Sequence, residues 1–540
     1  MYSVTTNEIN DSFVRGFYDV IIVGGSLGGV RAAVSAAKCG KTVLITEKTD
    51  WIGGQLTSQA VPPDEHRWIE SQGATKSYLD YRRKVRNYYR SKDDIADEIK
   101  TKERFCPGGS WVSRLSHEPT VAHKILSDEL GVYIKNGLVT LLTLSEVCGA
   151  ETDGDFIKNV SVKNLQDGKV EKFAAEYYLD ATDCGDLLPL AGAEYREGAE
   201  SKEQTGEPHA ADKECRADVQ PVTHVISLVL KQKLSDCDRI KKPDEYDYFL
   251  SKKCDGIPLF GWEYPDAKTG KGVKCAMFDG ELGKSSLGFW SYRRIVGQVN
   301  YKSKVDEVSL INWPQNDYSG GGVYGGNDDA YHSYMAGAQS LCLAYYLQND
   351  ADNGMGGKGY PVALYGEAVG TENGLAKAIY IRESRRIIGR DTVREQDVSI
   401  EYNDGIKRYA HSVGVGHYAI DVHKTLITHT SFYAPTYPFE IPMGALIPVR
   451  IKNLLPACKN ISCTHLTNGC YRLHPVEWNV GEAAGLLAAF CIDKKCTPAQ
   501  AEDEHYDEFK TLLEKEGIQL HWKEEDMQLD EYVAGVKKQK

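Results

Sequence analysis

The sharpest pattern in the chain is a short β-rich run, Tyr18–Val23, apolar throughout from Val20. It is followed at once by Gly24-Gly25-Ser26-Leu27-Gly28-Gly29 and an alanine-rich stretch, Val30–Cys39. An uninterrupted β-rich run of this length predicts a buried parallel strand. The alanine-rich stretch predicts a helix with one close-packed face, ended by Gly40. Lys41–Thr46 predicts a second strand, closed by Glu47. Strand, glycine turn, helix and strand make a βαβ dinucleotide-binding unit. The first glycine makes the tight turn, the last lets helix and strand close up, and the helix N-terminus offers N–H groups and partial positive charge to a pyrophosphate. Glu47 is placed to accept from ribose hydroxyls. The middle position of the G-x-G-x-x-G pattern is Ser26, which makes a phosphate approach more crowded.

Further along, paired glycines in Asp50-Trp51-Ile52-Gly53-Gly54-Gln55-Leu56-Thr57 let the chain pass close to a ligand. Tyr177–Asp180 predicts another strand, leading into Ala181-Thr182-Asp183-Cys184-Gly185-Asp186. Near the far end, Asn453–Ser462 predicts a strand and turn, and Asn479-Val480-Gly481-Glu482-Ala483-Ala484-Gly485 the start of a small-residue helix. Together these segments resemble the family of FAD-dependent oxidoreductases, over most of residues 18–490. Phe289–Arg294, Asn312–Tyr318, Ile381–Gly389 and Tyr437–Pro448 match it as well. Asp183 stands where that family usually has glycine, Cys458 where it has glycine, and Lys459 where it has arginine.

The resemblance implies an α/β fold. A Rossmann-like FAD-binding domain, a parallel sheet flanked by helices, would carry an inserted mixed α+β substrate domain. The flavin domain is expected to be discontinuous, over 15–65, 105–200 and 440–495, with a substrate domain over 200–440. The Tyr/Arg/Lys-rich stretch 66–104 reads as an exposed helical insertion with a solvated basic face, and 497–540 as a peripheral pair of helices. Expected cofactor contacts are Gly24, Gly25, Ser26, Leu27, Gly28, Gly29, Glu47, Lys48, Gly53, Gly54, Gln55, Leu56, Asp183, Asp186 and Gly481. The helix starting near Gly481 would point its positive end at the flavin and stabilise the reduced form.

A flavin performs hydride transfer, so the chain must position a substrate and move a proton. Thr464–Pro475 joins the last strand to the last helix and is expected to run beside the flavin, which makes His465, His474 and Arg472 the catalytic candidates. Tyr292, Arg293, Asn316, Asp317, Tyr318 and His423 are the substrate-binding candidates, because they mix aromatic and polar character. Arg382, Glu383, Arg385 and Arg386 read as one helix. Arg382 and Arg386 would share a face there, holding a carboxylate or the pyrophosphate or, as the plainer alternative, joining a buried ion-pair network with Glu383. Ser319–Asp329 is either a lid or a surface turn.

Composition removes several other readings. The chain has 540 residues and a net charge of -13, which argues against nucleic-acid backbones and anionic membranes. Val20–Ala37 is largely apolar, but its glycines argue for a turn rather than a membrane span. The 14 cysteines form no C-x-x-C pair, which favours reduced thiols and a cytoplasmic setting, with a secreted or periplasmic mature form also compatible. His411, His417 and His423 recur at every sixth residue. On one extended strand their outer members would lie far apart, about 20 Å per pair, so no metal site is expected. Cys184, Cys458, Cys463 and Cys470 fit no iron–sulfur spacing and read as core residues or as a thiol beside the flavin.

The preferred activity is FAD-dependent oxidation of a CH–OH group in a sugar or glycoside-like small molecule. The alternatives are reduction of an activated C=C bond in a carboxylate substrate and a flavin-binding protein without turnover. No second G-x-G-x-x-G unit occurs, so oxygen, a quinone or a protein partner is expected to exchange electrons rather than a bound nicotinamide.

Overall fold

The computed structural model describes residues 14–266, 269–280 and 288–538. Its centre is a seven-stranded sheet. β1 (Val14–Val23), β2 (Val43–Thr46) and β3 (Val139–Leu142) run parallel, and β6 (Val170–Asp180) continues the parallel set on the other side of β1. The last strand in sequence, β14 (Leu454–Pro456), pairs parallel with the end of β6. β4 (Ser145–Asp153) and β5 (Phe156–Asn164) extend the sheet as an antiparallel meander. The five parallel strands end at Val23, Thr46, Leu142, Asp180 and Pro456, so Gly24, Glu47, Asp183 and Lys459 all emerge at one edge. That carboxyl edge is where doubly wound sheets bind ligands.

Helix α1 (Leu27–Lys38) starts where the glycine turn ends, with Ser26 as N-cap accepting from the Gly29 N–H. Helix α6 (His474–Lys494) crosses it closely and is buried on every side from His474 to Cys491, as a central helix must be. A Cβ on Gly481 would lie 2.2 Å from the Gly28 carbonyl oxygen, and one on Gly485 2.4 Å from that of Ala32. This corrects two expectations. The helix begins at His474, not near Asn479, and Gly481 is a packing residue against α1 rather than a cofactor contact.

Two peripheral segments also differ from the sequence reading. Helix α2 (Lys76–Arg90) is not solvated all round, because Tyr78, Tyr81, Val85 and Tyr89 join the same core as α1 and α6. Its Arg82 and Arg86 are buried against Glu65 and Glu70. Helices α7 (Pro498–Glu504), α8 (Tyr506–Lys515) and α9 (Leu529–Lys538) make three C-terminal helices rather than a pair, and Phe509 and Leu513 of α8 enter that core.

The inserted layer is built on a four-stranded antiparallel sheet in the order β8 (Arg294–Val296), β9 (Glu307–Ile311), β7 (Ile226–Leu230), β10 (Val362–Leu364), with α4 (Asp329–Asn349) against it. Its boundary falls before residue 440. β11 (Ser412–Gly416) pairs with β13 (Phe439–Pro442), and Val413, Ile420, Val422 and Ile441 bury into the core of the first layer. The stretch from His411 to His423 is not one strand. β11 ends at Gly416 and β12 (Ile420–Val422) follows after a turn, so the three histidines point into separate surroundings. Among the described residues no helix is long and apolar enough to cross a membrane.

Candidate functional site

The carboxyl edge of the sheet opens into a cleft of about 460 Å³. Gly24, Ser26, Glu47, Lys48, Asp183 and Asp186 line one wall, and His224, Ser333, Ile379 and Ile381 of the second layer line the other. Gly24 has φ +103°, and a Cβ there would sit 2.5 Å from the Ala181 carbonyl oxygen, so the turn requires glycine. Gly25 donates its N–H to Glu47 Oε2 (3.0 Å), while the Thr49 N–H and hydroxyl donate to Glu47 Oε1 (2.8 Å each). Burial pushes the Glu47 carboxyl up to about 7 although these bonds work against the shift.

Other predicted cofactor residues are less exposed to the cleft. Gly53 and Gly54 both have positive φ, and a Cβ on Gly54 would approach Ser26 Cα at 2.9 Å. Leu27 and Leu56 are core side chains. The Gly28 N–H is taken by Glu477 Oε1 at 3.0 Å, and Gln55 also bonds to Glu477. Lys48 pairs with Asp186 (3.0 Å). The cleft keeps polar groups unspent: Gln59 Oε1 and His224 Nδ1, both on its walls, are buried with no partner among the described residues. A glycine turn at a helix N-terminus, a carboxylate at the end of the second strand and unpaired polar groups on the walls suit a dinucleotide such as FAD.

Beyond the Gly53–Gly54 segment a second polar cluster begins at Gln55. Its Nε2 donates to the Arg472 carbonyl at 3.1 Å. The Arg472 guanidinium donates to Tyr380 Oη (2.7 Å) and Asp421 Oδ2 (3.3 Å). Asp421 Oδ2 stands 3.5 Å from His423 Nε2, and His423 Nδ1 bonds Asp317 Oδ2 at 2.7 Å. Asp317 also accepts from Arg382 (2.7 Å) and Thr223 (2.5 Å). The His423 side chain keeps 28% of its surface accessible and Asp421 18%, so the group is partly open to solvent rather than sealed in the core. Burial opposes the ionisation of Asp421, but His423 and Arg472 outweigh it and hold the carboxyl at about 2. Burial and Arg382 oppose charge on His423, yet Asp421 and Asp317 prevail and raise its pKa.

The three catalytic candidates separate. Arg472 belongs to this cluster. His474 is held at both ring nitrogens: its Nδ1 accepts from the Asp64 N–H (3.0 Å), so Nε2 carries the proton given to the Val61 carbonyl (3.1 Å). Burial drives its pKa down to about 3. Its work is to fix the Val61–Asp64 segment, whose Asp64 holds Arg293 in a fork at 2.9 and 3.2 Å. His465 heads helix α5 (His465–Tyr471), within the segment that joins the last strand to the last helix, and is buried with Nδ1 on Glu383 Oε1 at 2.8 Å.

The substrate candidates divide as well. Asn316 is spent on the turn at Pro314, bonding the Trp313 N–H, the Ile311 carbonyl and Ser340, so it is structural. Tyr318 bonds His332 (2.9 Å). Tyr292 packs between Trp111 and Trp313. Arg382–Arg386 is not a helix. Arg382 goes to Asp317, while Arg386 joins Glu383 and Glu200 in a buried ion-pair network. The Gly-rich loop reaches the cleft through Val323 and Asp329, with Tyr324 Oη donating to the Glu383 carbonyl at 2.7 Å. Cys458, Cys463 and Cys470 are buried. Among the described residues no group of three or more His, Cys, Asp or Glu side chains is arranged to hold a metal. The sequence reading passed over Asp64, Tyr380 and Asp421 as partners; Asp421, two residues before His423, was the visible clue.

A family model described as FAD dependent oxidoreductase matches residues 19–513. The chain is 37% identical over 60 residues to the FAD-dependent monooxygenase ntnJ of Nectria sp, covering 11% of this chain and 14% of that protein. It is 43% identical over 54 residues to the FAD-dependent monooxygenase atnJ of Arthrinium sp, covering 10% and 13%. Each match thus spans a small part of either protein. Among solved structures, a geranylgeranyl bacteriochlorophyll reductase-like protein from Thermoplasma acidophilum is similar at 10% identity and a TM-score of 0.34, over 94% of this chain and 85% of that one. The myxobacterial chondrochloren halogenase is similar at 11% identity and a TM-score of 0.32, over 93% and 80%. The match over residues 19–513 places this chain in the FAD-dependent oxidoreductase family, as an enzyme whose cofactor is FAD.

Proposed function

We propose that the enzyme oxidises a CH–OH group of a hydroxylated small molecule, with His423 as the group that takes the hydroxyl proton. The observation that carries this reading is the accessible Asp317–His423–Asp421 array, joined through Arg472 to the cofactor segment at Gln55. When bound, FAD supplies a two-electron acceptor for hydride. Asp317 holds Nδ1 and fixes the ring, leaving Nε2 as the nitrogen that exchanges a proton. Asp421, held by the buried Arg472, stands beside His423 and can accept from a substrate hydroxyl. Arg382 and Arg293 are each committed to a carboxylate of the chain, which disfavours a substrate carboxylate held by arginines.

The test is anaerobic mixing of the FAD-loaded enzyme with a panel of polyols and glycosides, without any nicotinamide. Loss of the oxidised flavin absorbance supports the reading. The relatives named as monooxygenases supply the competing outcome: flavin reduced only by a nicotinamide, followed by incorporation of one oxygen atom into substrate, would replace it.

A further inference from the structure

Hydride arriving at a dinucleotide brings two electrons and one proton, hence one net negative charge that the chain must accommodate. The amino end of α6 is poorly suited to this. Its first turn carries the buried Glu477, which already takes the Gly28 N–H, and a carboxylate there offsets the helix's partial positive charge.

A cation does stand behind the cleft wall. Lys459 follows β14, its side chain is 0% exposed, and its ammonium is paired with Asp183. The other oxygen of Asp183 accepts from Gln59 Nε2 at 2.6 Å. Asp183 and Gln59 both line the cleft, and Gln59 Oε1 is one of its unpartnered buried atoms. Two of the three positions where the chain departs from its family's pattern at these strand ends, Asp183 and Lys459, therefore face each other as an ion pair. Buried charge acts strongly at short range, so removing either member changes the field in the cleft with opposite sign.

We propose that Lys459 is a positioning residue for the cofactor's charge, with Asp183 moderating it, and that this pair sets how readily bound FAD accepts hydride. No bond to Lys459 forms or breaks. The experiment is a dye-coupled reductive titration of the FAD-loaded enzyme, which needs no substrate. Lys459→Met should make the midpoint potential more negative and weaken binding of the probe sulfite at least tenfold. Asp183→Asn should make the potential more positive, and Lys459→Arg should keep the wild-type value. Lys459→Arg and Asp183→Asn carry the test if Lys459→Met does not fold. Shifts of the same sign in both charge-removing variants would overturn the proposal. So would unchanged potentials with weaker FAD binding alone, which would assign the pair to the pyrophosphate.

Discussion

Two histidines face opposite fates in this molecule. His474 opens α6 with both ring nitrogens on backbone groups, and burial holds it neutral with its pKa down at about 3. His423 follows β12 and stands between two carboxylates, which outweigh burial and favour its charged form. Burial alone does not decide what a histidine does. The partners at its two nitrogens do: backbone partners make a fixed strut, while carboxylates favour the charged ring, tightly at Nδ1 (2.7 Å) and more loosely at Nε2 (3.5 Å).

The sharpest way to break the comparison is to remove each ring in turn. His423→Asn should lower turnover by about 10²–10⁴-fold, the usual loss of a general acid–base group, with FAD content unchanged. His474→Asn should leave a working but less stable enzyme. The buried Asp64 N–H and Val61 carbonyl would lose their partner, at roughly 1–3 kcal/mol, seen as a lower urea midpoint. If the turnover losses were reversed, the roles assigned to the two rings would be wrong. A comparable loss of stability, roughly 1–3 kcal/mol, should follow Gly481→Ala, because the new methyl meets the Gly28 carbonyl and α1 and α6 must part.

The pH dependences should differ in sign. His474 has a folded pKa below its unfolded value near 6.5, so its stabilising effect is full above about 6.5 and is lost as pH falls toward 3. His474→Gln should therefore flatten stability against pH over that acid window. His423 has a raised folded pKa, so its ion-pair contribution is full below about 6.5 and is lost as pH rises through the folded value. The smallest expected effect is on that value itself. Asp317→Asn should move the pH midpoint of substrate oxidation downward, because the neutral amide no longer favours the imidazolium.

The dinucleotide unit was legible because it is local: apolar run, glycine turn, alanine-rich helix and Glu47 follow one another within the first 47 residues. The second cluster was legible only in part: Asp317, His423 and Arg472 stood out as candidates, but its members lie far apart in the chain and meet only after folding. Asp317, Tyr380, Asp421 and Arg472 come from four different segments. Proximity to the last helix made His474 look catalytic, yet sequence carries no sign that both its ring nitrogens meet backbone groups. Gly481 misled for a related reason. A small residue serves close helix packing as well as close approach to a ligand, and only the crossing of α1 and α6 separates the two.

The central claim, that His423 takes the proton while FAD takes the hydride, is tested most directly by the anaerobic single-turnover rate of flavin reduction as a function of pH. The wild-type rate should rise through one ionisation lying above the ordinary histidine value of about 6.5, and His423→Asn should be slow and without that ionisation. An equally fast His423→Asn enzyme with the same pH profile would contradict the account.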